Sequence, residues 1–372
     1  MALLYERIST HVLEEIRSGA LGPGDRVASE MELAAQFEVS RITSKRALEV
    51  LREAGLIERI RGKGSFVVQN LPDLDGVSTP LRGRITHPAR PRRHSGAIGL
   101  VIPDISEAYG LELLCAIEER CAEYGAHLLV RRTRGRQADE EQAVESLVAS
   151  GEVDGMIVFP VHGDFYNASL LRQVLDGYPM VLVDRHLSGI PVSAVHTDNV
   201  AASQALTERL LDLGHRHIAF VSPPPQNTSS IEDRLAGFRA AFAQREPGPH
   251  QAHQLTSLRS TLPGSFTPES VLCDLETIRG FRAEVPEVTA FVACEYNLAR
   301  MVDRALDRPH DLVISCFDSP GDPIAGPPYL HVRQNQREMG RQAVDLLLAQ
   351  LRGESVPKLS IVPFELVDAN RN

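Results

Sequence analysis

Residues 39–68 read VSRITSKRALEVLREAGLIERIRGKGSFVV, and this stretch decides the fold of the amino-terminal part. Ala47, Leu48 and Leu51 recur at helical spacing through residues 41–54, and Gly55 follows as a stop. Residues 56–60 and 65–68 then alternate like strands around the turn Arg61-Gly62-Lys63-Gly64. Upstream, Leu4, Ile8, Val12 and Ile16 recur every four residues and Leu13 lies beside them, so one helix stripe precedes Gly19. The turn-rich LGPGDRVASE comes next, and its Ser29 suits the cap of a second helix over 30–37. A short connection at 38–40 leads back to the starting stretch. A helix, a helix-turn-helix and a hairpin in that order predict a winged helix over residues 1–69.

The third helix opens SRITSKR, with its polar and basic residues in the first two turns. A recognition helix presents its first residues to base edges in the major groove. Arg41 suits a bidentate contact to guanine, and Ser40, Thr43 and Ser44 suit bases or phosphates. Lys45 and Arg46 suit phosphate contacts that set position rather than sequence. Arg61, Gly62 and Lys63 form a compact cationic tip where a wing meets the DNA backbone or minor groove.

Charge distribution agrees with that division. The whole chain carries −10, but residues 1–95 carry +3 and the remainder −13. A basic head on an acidic body fits a DNA reader joined to a domain with another task. The longest apolar runs, 97–103 and 155–160, are strand-sized and far too short for a bilayer. The opening MALLYERIST lacks the basic-then-apolar pattern of a signal peptide. Five cysteines form no CxxC pair, so buried thiols in a reducing cytoplasm are expected. Gly214-His215-Arg216-His217 reads as a helix-to-strand turn rather than a metal site. No cofactor or metal is expected.

Residues 70–95, with four prolines, scattered arginines and no periodicity, read as a linker. Beyond them, strand-like runs at 97–103, 127–133, 155–160, 180–185, 217–222, 289–295 and 312–318 alternate with amphipathic helical stretches. That pattern predicts parallel sheets with crossover helices, and ligands then bind at the carboxyl ends of the strands. The residues at those ends are Asp104 and Tyr109, His162, Asp184-Arg185, Glu295-Tyr296 and Asp318. Carboxylates, arginine and an aromatic face converging on one cleft suit a polyol. Paired carboxylates such as Asp184 and Glu295 could also serve an enzyme, but no nucleophile motif, phosphate loop or metal set accompanies them.

Two resemblances give these readings a context. Residues 3–68, above all SGALGPGDRVASE, VSRITSKRAL and GLIERIRGKGSFV, resemble the DNA-binding domain of the gluconate-repressor (GntR) family. That likeness implies DNA contacts by Ser40, Arg41, Thr43, Lys45, Arg61, Gly62 and Lys63. Met31 and Lys45 stand where the family frequently has Arg, so a consensus operator is not implied. From Ala97 onward, VDGMIVFP, LGHRHIAFVS, RLAGFRAAF and VRQNQREMG resemble the effector domain of the lactose/galactose repressor (LacI/GalR) family. The implied effector residues are Tyr109, Arg234, Glu295 and Asp318, with Arg185 and Gln334 facing the same cleft; Asp104 and His162 join the expected effector set from the strand-end reading. Glu295-Tyr296 replaces the family's usual Asn-Asp. An ionised Glu accepts and does not donate, so it implies a different hydroxyl pattern or a ligand bearing an amine or guanidine.

The combination is similar to the arabinose-repressor type of regulator. It implies an α/β chain with a winged helix domain followed by a two-lobed, periplasmic-binding-protein-like domain of parallel sheets flanked by helices. The expected boundaries are 1–69, a linker at 70–95, and 96–372. Lobe one is expected at about 96–194 and 330–358, and lobe two at about 195–329 and 359–372. A homodimer on an inverted-repeat operator, released by a carbohydrate effector, is the implied mode of action; a body that only dimerises or binds a non-sugar ligand is the alternative. No enzymatic activity and no membrane partner are expected.

Overall fold

The computed structural model of the chain describes residues 4–37, 39, 41–60, 64–69, 71, 84–85, 95–162, 167–187, 189–243, 250–262, 264–307, 312–320, 324 and 326–369. Ser40, Arg61, Gly62 and Lys63 lie outside the described residues, as do the side chains of Arg41 and Thr43. The chain divides into two compact units: residues 1–86 with 188–191 and 355–358, and the rest.

In the first unit, α1 (Leu4–Arg17), β1 (Arg26–Val27), α2 (Glu30–Gln36), α3 (Arg41–Glu53), β2 (Ile57–Ile60) and β3 (Gly64–Val67) follow in order. The three strands form an antiparallel sheet in the order β1-β3-β2. The expected stripe of α1 is buried at Ile8, Val12, Leu13 and Ile16, against Leu33, Ala47, Leu51, Leu56 and Val67. Ser29 caps α2 reciprocally: Glu32 N–H donates to Ser29 Oγ, and Ser29 N–H donates to Glu32 Oε2 at 2.6 Å. Two of the helix's orphan donors are thereby satisfied. Ser29→Ala is expected to cost the domain ~1 kcal/mol, measurable as a lowered denaturant midpoint with an unchanged slope.

Of the expected linker, Arg84–Ile85 forms a short strand, β4, which pairs antiparallel with Val356–Pro357. A stretch without periodicity therefore contains a strand set by a partner about 270 residues away in sequence.

The second unit contains two sheets. Its first half runs β5 (Ala97–Ile102), α4 (Leu111–Glu123), β6 (His127–Arg132), α5 (Gln137–Ser150), β7 (Gly155–Val158), α6 (Ala168–Leu175), β8 (Met180–Val183) and β9 (Ser193–Thr197). The chain continues through α7 (Asn199–Asp212), β10 (His217–Val221), α8 (Ser229–Ala243), β11 (Gln251–Leu255), α9 (Pro268–Glu284), β12 (Ala290–Ala293), α10 (Tyr296–Ala305), β13 (Val313–Phe317) and β14 (Leu330–Gln334). It returns through α11 (Gln336–Leu351), β15 (Val356–Pro357), β16 (Leu359–Val362) and β17 (Phe364–Val367).

The first sheet is parallel throughout, in the order β16-β9-β8-β7-β5-β6. The second has the order β11-β10-β12-β13-β14-β17, with only β17 antiparallel. The central strands are apolar on both faces: β7 and β8, and β12 in the other lobe, are buried at every position. Helices on both faces require this, and it makes the strands legible as unbroken apolar runs.

The lobe boundaries differ from the expectation. β14 belongs to the second sheet rather than to lobe one, and β16 belongs to the first sheet rather than to lobe two. β9 lies wholly in the first sheet, past the expected boundary at 194. Helix α11 packs Met339, Ala343, Val344 and Leu347 into the first lobe's core, as expected. The chain thus crosses between lobes at β9–α7, β14–α11 and β16–β17. In the second lobe, α7 and α8 touch backbone to backbone. A Cβ on Gly237 would lie 2.1 Å from the carbonyl oxygen of Val200, so only glycine fits there. No described helix is long and apolar enough to cross a membrane.

Candidate effector cleft and operator-reading helix

Strand β8 ends at Val183, and Asp184 follows in a left-handed conformation with φ 67°. Its N–H donates to Val195 O at 2.9 Å, which ties the turn to β9. The buried carboxylate accepts from Tyr109 Oη at 2.5 Å and lies 3.4 Å from Arg185 Nε. Arg185 also donates to Pro160 O at 2.9 Å and stacks over Phe159. Burial, then Asp184 and Asp318, hold the Tyr109 hydroxyl well above its usual range, so it stays a donor.

The second lobe repeats this turn. Asp318 follows β13 with φ 59°, and its N–H donates to Val332 O at 2.8 Å. Non-glycine residues rarely adopt this conformation, and aspartate is among those that tolerate it best. The Asp318 carboxyl accepts from Gln334 Nε2 at 2.6 Å and from Gln334 N–H at 3.2 Å. Burial pushes Asp318 up to about 7; Arg234 and Gln334 oppose the rise and Asp184 adds to it. Arg234, buried on α8, donates to Asn199 Oδ1 at 2.8 Å and to Cys294 O at 2.6 Å. Its guanidinium lies 3.9 Å from the centroid of the Phe317 ring.

Glu295 follows β12 at the N-cap of α10, but its side chain makes no capping bond. Burial raises its pKa, while Thr261 beside it and the charges of Arg185 and Arg234 lower it. Glu295 therefore feels an arginine from each lobe. Oε1 of Glu295, Oε1 of Gln334 and Nε of Arg185 are buried without a hydrogen-bond partner. Such atoms are rare in folded proteins, and three around one cleft fit a site that takes a polar molecule.

The remaining residues separate. His162 Nδ1 lies 2.6 Å from Thr228 Oγ1, joining the segment after β7 to the loop before α8 at one side of the cleft. His186 N–H donates to Ser229 Oγ at 2.9 Å nearby. Asp104 does not join the cluster: its exposed carboxylate accepts from Ile105 N–H at 2.8 Å and lies 3.8 Å from Arg132. It stands two residues beyond the strand end, after Pro103, and serves its own turn. Between the lobes, a cavity of about 430 Å³ is lined by Glu107, Leu111, Glu112, Asp318, His331, Arg333 and Gln336, among others. Gln336 accepts from Gly110 N–H at 2.8 Å and so ties α11 to the loop that carries Tyr109. Asn199, Phe317 and Gln336 were not singled out in the sequence, although each adjoins a recognisable block. Thr261 carried no signal at all. Among the described residues, no group of three or more His, Cys, Asp or Glu side chains is placed to hold a metal ion.

In the first unit, Lys45 is exposed on α3, while Ser44 is buried and donates to Glu30 O at 2.5 Å. Ser44 therefore clamps α3 to α2 rather than reaching DNA.

The comparisons with known proteins agree with both halves. Residues 4–67 match the family model for bacterial regulatory proteins of the gntR family. Residues 98–261 match a periplasmic binding protein domain and residues 207–368 a periplasmic binding protein-like domain. The chain is 27% identical over 387 residues to the arabinose metabolism transcriptional repressor of Geobacillus stearothermophilus, covering 98% of this chain and 96% of that one. It is 33% identical over 175 residues to the HTH-type transcriptional regulator PtxS of Pseudomonas plecoglossicida, covering 47% of this chain and 49% of that one. The Cra transcriptional dual regulator of Pseudomonas putida, solved with fructose 1-phosphate, superposes with a TM-score of 0.61 at 21% identity. That match covers 75% of this chain and 100% of the other. The chain is thus a DNA-binding transcriptional regulator, built from a gntR-family winged helix and a periplasmic-binding-protein-like body. Two relatives matched over most of their length are named arabinose metabolism transcriptional repressors.

Proposed function

We propose that the protein is a homodimeric repressor that binds an inverted-repeat operator through α3 and the hairpin β2–β3, and that a small polar effector, a sugar or sugar derivative, releases it. The observation that carries the reading is the conjunction in one chain of a gntR-family winged helix and a two-lobed body whose strand ends surround buried, unpartnered polar atoms. Groups from both lobes act on one another there: Asp184 raises the Asp318 carboxyl, and Arg185 acts on Glu295. A ligand bridging them favours a closed arrangement of the lobes over an open one. Differential affinity for two such arrangements is what couples a ligand to a distant site.

The DNA contacts proposed are those of Ser40, Arg41, Thr43, Lys45, Arg61, Gly62 and Lys63. Arg41→Ala is expected to weaken specific operator binding by ~1–3 kcal/mol, the worth of a bidentate guanine contact. Lys45→Ala is expected to weaken operator and unrelated DNA alike and to flatten the salt dependence. Mobility-shift titrations at fixed ionic strength, with specific and scrambled duplexes, check both. An Arg41→Ala variant that keeps its full preference for the operator contradicts the assignment of the reading helix. The effector contacts proposed are Tyr109, Arg185, Arg234, Glu295, Asp318 and Gln334, with His162 at the rim.

A further inference from the structure

Most of the cleft's strong donors are committed, Arg185 Nε excepted, while two of its acceptors are not. Two of the three guanidinium nitrogens of Arg234 already donate, to Asn199 and to Cys294 O, and its face lies on Phe317. In Arg185, Nη1 donates to Pro160 O and Nε faces Asp184. Tyr109 donates to Asp184. Against these, Glu295 Oε1 and Gln334 Oε1 are buried without a hydrogen-bond partner, and so is one donor, Arg185 Nε. The charge balance tilts the same way. Among the described residues, Asp184, Glu295 and Asp318 share two guanidiniums in the deep site, those of Arg185 and Arg234. At the adjoining cavity Glu107 and Glu112 stand with Asp318 against Arg333.

We propose that the effector of this protein is cationic: a hydroxylated amine such as an amino sugar, whose ammonium group is received by Glu295 and whose hydroxyls donate to Gln334 and Asp318. The proposal rests on the reading of the body as an effector domain and names the chemical class that the site takes. An ammonium is all donors and no acceptor, which complements the two free acceptors, Glu295 Oε1 and Gln334 Oε1. It also adds positive charge to a site where three carboxylates, Asp184, Glu295 and Asp318, stand with two guanidiniums, Arg185 and Arg234. A phosphosugar or a uronate brings negative charge to a site already acidic. The adjoining cavity of about 430 Å³, which Asp318 lines, lies within the range of small-molecule sites, about 300–1,000 Å³.

Calorimetric titration of the full chain decides it. The probes are D-glucosamine, D-galactosamine and D-mannosamine, their N-acetyl derivatives, the parent hexoses, and the corresponding uronic acids. At least one free amine is expected to bind, and its N-acetyl and parent counterparts at least tenfold more weakly. Glu295→Gln is expected to abolish that tenfold preference while the unliganded melting temperature stays measurable and cooperative. The comparison between amine and N-acetyl forms needs no variant, so a misfolded substitution leaves the test intact. The proposal is overturned if a parent sugar or uronate binds as tightly as any amine, if no amine binds, or if Glu295→Gln leaves the preference in place. The two readings fail separately. A neutral sugar that releases operator DNA sinks this proposal and keeps the repressor reading. An amine that binds through Glu295 without altering operator affinity does the reverse.

Discussion

Arg234→Ala is expected to abolish the ligand response of the body and to destabilise its second lobe by ~2–5 kcal/mol. The arginine is only 6% exposed, and it holds together Asn199 at the start of α7, Cys294 at the end of β12 and Phe317 at the end of β13. Truncation leaves the Cys294 carbonyl and the Asn199 amide without their donor, and each unsatisfied buried group costs ~1–3 kcal/mol. Arg234→Lys restores the charge but not the two-pronged geometry, so it should recover only part of the loss. Thermal unfolding without ligand reads the structural part. The ligand-induced rise in melting temperature reads the binding part, about 2.7 kcal/mol for a functional site at a hundredfold excess over Kd. Operator binding is expected to persist below the variant's melting temperature. An alanine variant that is as stable as the parent and still responds to ligand removes Arg234 from the site.

Asp318→Asn is expected to do the opposite to stability. The unfolded carboxyl ionises near its ordinary 3.8, whereas in the folded protein burial raises it to about 7. Between those values the native state holds the extra proton, so stability falls as pH rises through the window. Above about pH 7 both states are ionised and the penalty is complete, at most ~4 kcal/mol. Asparagine carries no charge to bury, tolerates φ 59°, and keeps an oxygen for Gln334 Nε2. Its NH2 then stands where Asp318 Oδ1 accepts from Gln334 N–H, and losing that 3.2 Å bond costs less than ionising the buried carboxyl. The variant should therefore be more stable than the parent at pH 8, and the advantage should shrink by ~2–3 kcal/mol on going to pH 5. Denaturant titrations at the two pH values check it. An Asn variant less stable at pH 8, or an advantage independent of pH, contradicts the placement of a buried carboxyl there.

The parallel core was legible because strands such as 97–102, 155–158 and 180–183 are buried on both faces and so read as continuous apolar runs. The first turn of α2 was legible because Ser29 and Glu32 stand at capping-box spacing. The edges were not. β11 reads Gln251-Ala252-His253-Gln254-Leu255, a half-exposed edge strand whose only deeply buried residue is Leu255. β16 and β17 are two four-residue strands separated by Pro363, and they join different sheets. Only pairing with β9 and with β14 decides that, and such pairing is not a local property of the sequence. The same holds for β4, whose partner lies at Val356–Pro357.

The cleft shows the same split. Asp104, Asp184 and Asp318 look alike in sequence, each just after an apolar strand. Asp184 and Asp318 follow their strands directly, in left-handed turns that the adjacent strands' carbonyls hold, and both are buried. Asp104 follows Pro103 and satisfies its own loop in solvent. Left-handed backbone at aspartate leaves no trace in composition or periodicity. Ser44 misled in the opposite direction: a polar residue in the reading helix turned inward to hold the helix-turn-helix together.

The central claim is that occupancy of the cleft controls the affinity of the winged helix for its operator. The direct test is an equilibrium titration of operator DNA by the full chain at constant salt, with and without a saturating amount of the sugar or amino sugar that most raises its melting temperature. The account predicts operator binding weakened about 5–150-fold, a coupling of ~1–3 kcal/mol. Affinity that is unchanged or strengthened by the bound ligand contradicts it.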